Sequence, residues 1–177
     1  MESIKPIYTE RIILRMFDLK NDLEAYASIL GQRDVGKWLP KRDAYNYEES
    51  EKMINFFTNQ WNENGFGTWV ITTKEGTLLG HMGLNFISDL QEVEVLYALG
   101  KESWGKGYAS EGAKASVEYA FQHLDCKRLI GLTKPDNYAS QHVLKKLGMK
   151  NTKDINWRGM DLNYFEVDKH EYLLTNE

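Results

Sequence analysis

Hydrophobic and polar positions change period several times along the chain, and each change marks an element. Ile12, Ile13 and Leu14 form a short β-favouring run just before Asp18, whose side chain can cap a helix over residues 19–30. From Glu48 to Trp61, Met53, Phe56, Phe57, Gln60 and Trp61 recur at spacings of three and four. They predict a second, largely acidic helix, ended by Asn64 and Gly65. Residues 36–47 between the two follow neither period. Trp38, Pro40, Tyr45 and Tyr47 lie there, in an irregular stretch of the kind that lines a cleft or is pinned by aromatic packing.

After Thr68 the pattern shortens to β-rich runs at 69–73, 78–87 and 92–99, separated by Lys74-Glu75-Gly76 and Ser88-Asp89, which predicts an antiparallel meander. The period then lengthens. Ala113, Val117, Ala120, Phe121 and Leu124 share one face of a helix over 108–124. A strand over 127–133, a helix over 137–147 capped by Gly148, and two strands around Trp157 and over 165–173 complete the chain. The expected order is β-α-α-β-β-β-α-β-α-β-β. It describes an α/β (mixed α+β) fold with one mixed sheet and helices on its faces, as a single domain over 1–177.

Composition narrows the function classes. Hydrophobic residues are 42% of 177, enough to bury a sizeable core. A net charge of -4 argues against phosphate-backbone binding, so no nucleic-acid partner is expected. Cys126 is the only cysteine, which forbids an intrachain disulfide and a thiolate metal cluster. His81, His123, His142 and His170 show no paired ligand spacing, so no metal site is expected. The N-terminal residues carry acids and Pro6 in place of a secretory signal, and no window has the roughly 20 apolar residues of a membrane span. A cytoplasmic protein without a membrane partner is the expectation. Monomer and homodimer fit equally.

The chemistry concentrates between Glu92 and Ala120. There a strand enters Gly100-Lys101-Glu102-Ser103-Trp104-Gly105-Lys106-Gly107-Tyr108-Ala109 and then a helix. Gly105 and Gly107 keep no Cβ between backbone and ligand, and the first N–H groups of the helix lack internal partners. The segment therefore reads as an anion cradle. Gly100 to Lys106 fits G-x-x-x-x-G-K, but Gly107 follows where a P-loop needs Ser or Thr, and the third glycine of a dinucleotide fingerprint is missing. Residues 101–150 hold nine Lys or Arg and five Asp or Glu, a balance of +4, which leaves -8 elsewhere. An anionic cofactor suits the first block and a cationic amine the remainder.

Three stretches carry a resemblance along nearly the whole chain: Glu94-Val95-Leu96-Tyr97-Ala98-Leu99, Trp104-Gly105-Lys106-Gly107-Tyr108-Ala109-Ser110-Glu111, and Asn137-x-x-Ser140 followed by Leu147-Gly148-Met149. Together they resemble the GNAT N-acetyltransferases. The opening Thr9-Glu10-Arg11-Ile12-Ile13-Leu14-Arg15 is similar to the branch that includes the RimJ/RimL-like ribosomal-protein N-terminal acetyltransferases. The resemblance implies a mainly antiparallel GNAT-like sheet, acetyl-coenzyme A as donor and coenzyme A as product. It puts the pyrophosphate on Gly105, Lys106, Gly107, Tyr108 and Ala109 and the pantetheine arm along Leu96, Tyr97, Ala98 and Leu99. Trp104 occupies the first position of the family's Q/R-x-x-G-x-G/A pattern, and Asn137 matches an asparagine that touches the cofactor arm or serves as a helix cap.

Acetyl transfer to an amine requires a neutral nitrogen, a polarised carbonyl and a proton for the departing thiolate. Backbone N–H groups near Leu96 and Tyr97 suit the carbonyl. Strand alternation puts Glu92, Glu94, Leu96 and Ala98 on one face and Val93, Val95, Tyr97 and Leu99 on the other, which makes Glu94 the candidate base. Many relatives have a tyrosine where this chain has Leu144, so Ser140 or Tyr138 becomes the candidate acid. An α-amine of pKa about 7.7 to 8.0 is roughly 10 to 20% neutral at pH 7, far more than a lysine. That favours a protein N-terminus as acceptor; the alternatives are a polyamine or amine antibiotic as acceptor, or a non-catalytic acyl-coenzyme-A-binding sensor.

Overall fold

The computed structural model describes residues 4–176. Its eight strands form one sheet: β1 (Ile7–Tyr8), β2 (Ile12–Arg15), β3 (Thr68–Thr73), β4 (Leu78–Ile87), β5 (Glu92–Leu99), β6 (Arg128–Thr133), β7 (Lys150–Trp157) and β8 (Met160–Asp168). They lie in the order β1-β2-β3-β4-β5-β6-β8-β7. Every neighbouring pair is antiparallel except β5 and β6. That parallel pair has a single register match, Glu94 with Ile130. Beyond it the two strands part, so the side of β5 facing β6 carries no ladder partner from Leu96 to Leu99.

The helices are α1 (Leu19–Leu30), α2 (Arg33–Gly36), α3 (Tyr47–Asn64), α4 (Tyr108–His123), α5 (Tyr138–Lys146) and α6 (Lys169–Thr175), with a 3-10 turn at Lys101–Ser103. Asp18 caps α1 by accepting from the backbone N–H groups of Lys20 and Asn21. Asn46 and Glu49 form a reciprocal capping box on α3, which ends at Gly65 with φ 73°. Arg15 grips the buried Asp22 through both terminal nitrogens, at 2.8 and 2.7 Å, and fastens β2 to α1.

The two faces of β5 enter different cores. Leu96 and Ala98 pack with Tyr26, Val35, Tyr45, Ile54 and Phe57, under α1 and α3. Val95, Tyr97 and Leu99 pack with Ala113, Val117 and Phe121 of α4 and with Leu144 of α5. The alternation expected for β5 is the one observed.

Three expectations need correction. Ile7–Tyr8 adds a short edge strand, and Arg33–Gly36 forms one helical turn in the unassigned residues after α1, reaching only the first residue of the stretch expected to be irregular. The strand expected over 165–173 stops at Asp168, whose carboxylate accepts from His170 N–H and starts α6. The alternation of Phe165 and Val167 ends there, and Tyr172 is instead buried on a helix against Phe121, with ring centroids 5.3 Å apart.

Candidate active site

Gly107 is the N-cap of α4. It has φ 82° and offers no side-chain cap, so the first N–H groups of the helix face outward unpaired. Gly105 has φ 70°, and a Cβ there would meet nothing within 4 Å; its glycine is needed for conformation. Gly107 sits tighter, with a built Cβ 3.1 Å from Arg11 Nη2. An open loop of left-handed glycines ahead of a bare helix N-terminus fits a pyrophosphate. The parted edge of β5 beside it fits an extended amide-containing arm that pairs as a strand would.

A clamp from the N-terminus holds that loop in place. Glu111 Oε1 accepts from Thr9 Oγ1 and from Arg11 N–H, both at 2.7 Å, while Glu111 Oε2 pairs with Arg11 Nε at 2.7 Å. Arg11 Nη1 donates to the Lys106 carbonyl at 2.7 Å, and its guanidinium lies 4.8 Å from the centre of the Tyr108 ring. Burial pushes the Glu111 carboxyl up, and the bonds from Thr9 and Arg11 outweigh it, so the group stays ionised below its ordinary value. Thr9 and Arg11 stand in the opening motif, whose resemblance was visible in sequence while its contact with residue 111 was not.

Trp104 does not supply a polar side chain to the loop. Its indole Nε1 donates to the Leu99 carbonyl at 2.9 Å and ties the loop to the end of β5, with 41% of the residue exposed. Asn137 caps α5, its Oδ1 accepting from Ser140 N–H at 3.2 Å. Leu144 fills the core against Gly131, where any Cβ would come within 2.7 Å of its methyl groups. The position where the family resemblance led to the expectation of a tyrosine is therefore packing here.

Glu94 is half-buried on the face covered by α1 and α3. Asn85 Nδ2 donates to Glu94 Oε2 at 3.3 Å, and Gln60 Nε2 of α3 donates to Asn85 Oδ1. Burial pushes the Glu94 carboxyl up to about 7, against the lowering effect of Asn85. Its own register partner across the meander is Asn85, so β4 and β5 present the pair together. Sequence reasoning named Glu94 but neither amide that bonds toward it; the two-residue alternation of β4 was the signal for Asn85, and Gln60 falls on the buried stripe of α3.

On the opposite face, the Tyr97 hydroxyl lies 2.9 Å from Ser140 Oγ and donates to the Ser140 carbonyl at 3.1 Å. Burial holds the Tyr97 phenol well above its ordinary value and therefore protonated. The structure thus brings Tyr97 and Ser140 together. It leaves Tyr138, 75% exposed, outside that contact. Glu94 and the Tyr97–Ser140 pair flank the parting strands from opposite faces, with the gap between them.

The remaining histidine of interest, His81, is buried. Its Nδ1 lies 2.8 Å from the Tyr26 hydroxyl, and burial lowers its pKa to about 3, so it is a neutral packing group. No group of three His, Cys, Asp or Glu able to hold a metal occurs among the described residues. No helix there is long and apolar enough to cross a membrane. A separate open groove of about 370 Å³ between β1 and the outer side of α4 is lined by Tyr8, Glu111 and Tyr119 and does not include Glu94 or Ser140.

Comparison with known proteins gives the chain's family. Residues 11–150 match the family model described as an acetyltransferase (GNAT) domain. An uncharacterized N-acetyltransferase, p20, of Bacillus licheniformis is 28% identical over 96% of this chain and 99% of its own. The crystal structure of a GNAT-family acetyltransferase from Bacillus anthracis superposes with TM-score 0.81 at 25% identity, over 94% of this chain and 100% of that one. The ribosomal-protein-S5-alanine acetyltransferase of Vibrio fischeri, 18% identical, shares the fold with TM-score 0.78 over 96% and 99%. The chain belongs to the GNAT acetyltransferases, which move an acetyl group from acetyl-coenzyme A to an amine.

Proposed function

We propose that this acetyltransferase acts on a low-pKa primary amine, of the kind found at a peptide or ribosomal-protein N-terminus, with Glu94 as general base. The observation that carries the reading is Glu94 itself, a carboxylate whose pKa of about 7 lies beside the parted strands on the face under α1 and α3. A base of that strength is about one unit from an α-ammonium at 7.7 to 8.0 and more than three from a lysine near 10.4. It draws a proton from the first far more readily. Asn85 and Gln60 orient its carboxylate.

Acetyl-coenzyme A, when bound, supplies a thioester carbonyl and a sulfur leaving group. The amides of Gly105, Lys106, Gly107, Tyr108 and Ala109 hold its pyrophosphate, while the open edge of β5 from Leu96 to Leu99 holds the arm. Backbone N–H groups on that edge polarise the carbonyl. Asn137 and Ser140 border the arm from α5, and Trp104 secures the loop.

Glu94 takes a proton from the ammonium, and the neutral nitrogen attacks. The second amine proton leaves to solvent as the amide forms. Tyr97 and Ser140 present O–H donors on the other side of the gap. Because the Tyr97 phenol is raised by burial, it keeps its proton; its O–H turns from the Ser140 carbonyl to the departing sulfur and stabilises it by hydrogen bonding, and the thiol is completed from water. Tyr138 has no part in this reading.

The test is thiol release from acetyl-coenzyme A with N-terminal peptides, peptides blocked at the α-amine but carrying lysine, polyamines and amine antibiotics. Selective turnover of free N-termini, with an acid limb in kcat/KM near pH 7 that disappears in Glu94→Gln, is the expected outcome. Turnover restricted to lysine or polyamine acceptors, or unaffected by Glu94→Gln, refutes it.

A further inference from the structure

Residues 33–47 cross the gap between β5 and β6 and are fastened on three sides. Past the end of β5, Gln32 Oε1 accepts from Lys101 N–H at 2.8 Å and Asp34 pairs with Lys101 Nζ at 2.5 Å. Past the end of β6, Lys134 Nζ donates to the Lys37 carbonyl at 2.5 Å. At the tip of the β7–β8 hairpin, the Gly159 carbonyl accepts from Arg42 Nη2 at 3.3 Å. Because β6 runs parallel to β5 from the Glu94–Ile130 pair, Lys134 stands level with the last residues of β5, across the opening. Val35 and Tyr45 bury with Leu96 and Ala98, which puts this crossing on the same face as Glu94.

The charges of the crossing are unevenly matched. Asp34 is engaged by Lys101 and Lys37, Asp43 by Arg33, and Glu49 by Lys41. Lys134 and Arg42 form no salt bridge among the described residues and meet only carbonyl oxygens. Burial and the nearby Arg42 guanidinium hold the Lys134 ammonium below its ordinary value, against the opposing pull of Asp136. The Trp38 ring lies beside them, with Lys134 Nζ 5.9 Å from its centre. Two cations with no salt-bridge partner among the described residues thus stand beside the β5–β6 gap, on the face that the proposed function makes the acceptor side.

We propose that Lys134 and Arg42 select acceptors that carry an anionic oxyacid group, carboxylate or phosphate, close to the reacting amine. The proposal rests on the reading of the Glu94 face as the acceptor side. An α-carboxylate, an acidic side chain directly after an N-terminal residue, or a phosphate ester would each present the required charge. A polyamine presents the opposite one and meets two like charges at the entrance.

The test compares kcat/KM for matched acceptors. Peptide amides differing only in Asp, Asn or Lys at the second residue report the side-chain source. Alanine against alaninamide reports the α-carboxylate, and phosphoethanolamine against ethanolamine the phosphate. Spermidine serves as the cationic extreme. At low salt at least one anionic acceptor is expected to exceed its neutral partner by about tenfold, with the margin shrinking at high salt. In the Lys134→Gln/Arg42→Gln double variant the margin falls below about twofold while KM for acetyl-coenzyme A is unchanged.

Preference for spermidine, or for the Lys over the Asn peptide when both react at the α-amine, overturns the proposal, as does a margin that survives in the double variant. Peptides blocked at the α-amine separate the two readings. Turnover confined to a lysine side chain refutes the α-amine assignment, whereas the charge preference within that lysine series still decides for or against Lys134 and Arg42. Should none of the panel turn over, calorimetric binding of the Asp and Asn peptides to the coenzyme-A-saturated protein decides, and equal affinity overturns the proposal.

Discussion

Replacing Glu94 by glutamine should strengthen the fold while it stops the chemistry. The E94Q change keeps the length of the side chain and a carbonyl oxygen for Asn85 Nδ2, and removes the charge. In the folded protein this carboxyl titrates at about 7, against an ordinary value of 4.5. Between those values the folded protein holds a proton that the unfolded chain has released, so stability falls as pH rises through the window and the loss is complete above it. The interval corresponds to about 3 kcal/mol, which partial exposure of Glu94 reduces to about 1–3 kcal/mol. For a chain of this size each kcal/mol moves Tm by about 2–4 °C. Thermal unfolding followed by circular dichroism from pH 4 to 9 should therefore show E94Q melting about 3–10 °C above wild type at pH 8 and level with it at pH 4. Thiol release by E94Q should fall by about 10²-fold or more over the same preparations. Parallel melting curves for the two proteins across the whole range would refute the argument, because Glu94 would then titrate alike in the folded and unfolded chains.

Gly107→Val should weaken coenzyme A binding by about tenfold or more in calorimetry, since it puts a β-branched residue at φ 82° and a Cβ 3.1 Å from Arg11 Nη2. Unchanged affinity in a folded variant would remove the cradle from the site. Tyr97→Phe should lower kcat by about tenfold to a hundredfold with little effect on KM for the amine, the mark of a group that helps the sulfur leave. Asn85→Leu removes the one hydrogen bond that lowers the Glu94 carboxyl, so the acid limb of kcat/KM should move to higher pH and activity should recover on the alkaline side. A limb that stays in place would show that Asn85 does not tune the base.

What the sequence revealed followed how local the cause was. Asp18, Asn64-Gly65 and Gly148 act within a turn of the helices they bound, and those helices appear where the periodicity put them. The two faces of β5 follow from strand geometry alone, so Glu94 could be named before any contact was known. Thr9, Arg11 and Glu111 show the opposite case. Their bonds join positions about a hundred residues apart and leave no periodic trace. Gln60 read simply as part of an apolar stripe, and its amide acquires a purpose only when α3 lies over Asn85. Tyr138 and Ser140 are neighbours on one helix start, but the chain alone could not say that Ser140 meets Tyr97 while Tyr138 faces solvent. The tail was misjudged because Asp168 ends a well-alternating strand and begins a helix within a single residue. The Asp168-x-x-Glu171 spacing was the available clue.

The lone rung between Glu94 and Ile130 divides the sheet into two hydrogen-bonded arms, β1 to β5 and β6 with β8 and β7. Each arm keeps its own ladders, so amide hydrogen exchange should reveal two opening units, with slow exchange inside each and rapid exchange along the inner edge of β5. A donor arm lying in the gap acts as a temporary strand and couples those units, so that one ligand rigidifies residues far from where it binds. The carboxylate proposed as the base, Glu94, sits at the join. On the proposed reading, closing the gap would tie the alignment of Glu94 to occupancy, placing the base most firmly when there is an acetyl group to transfer.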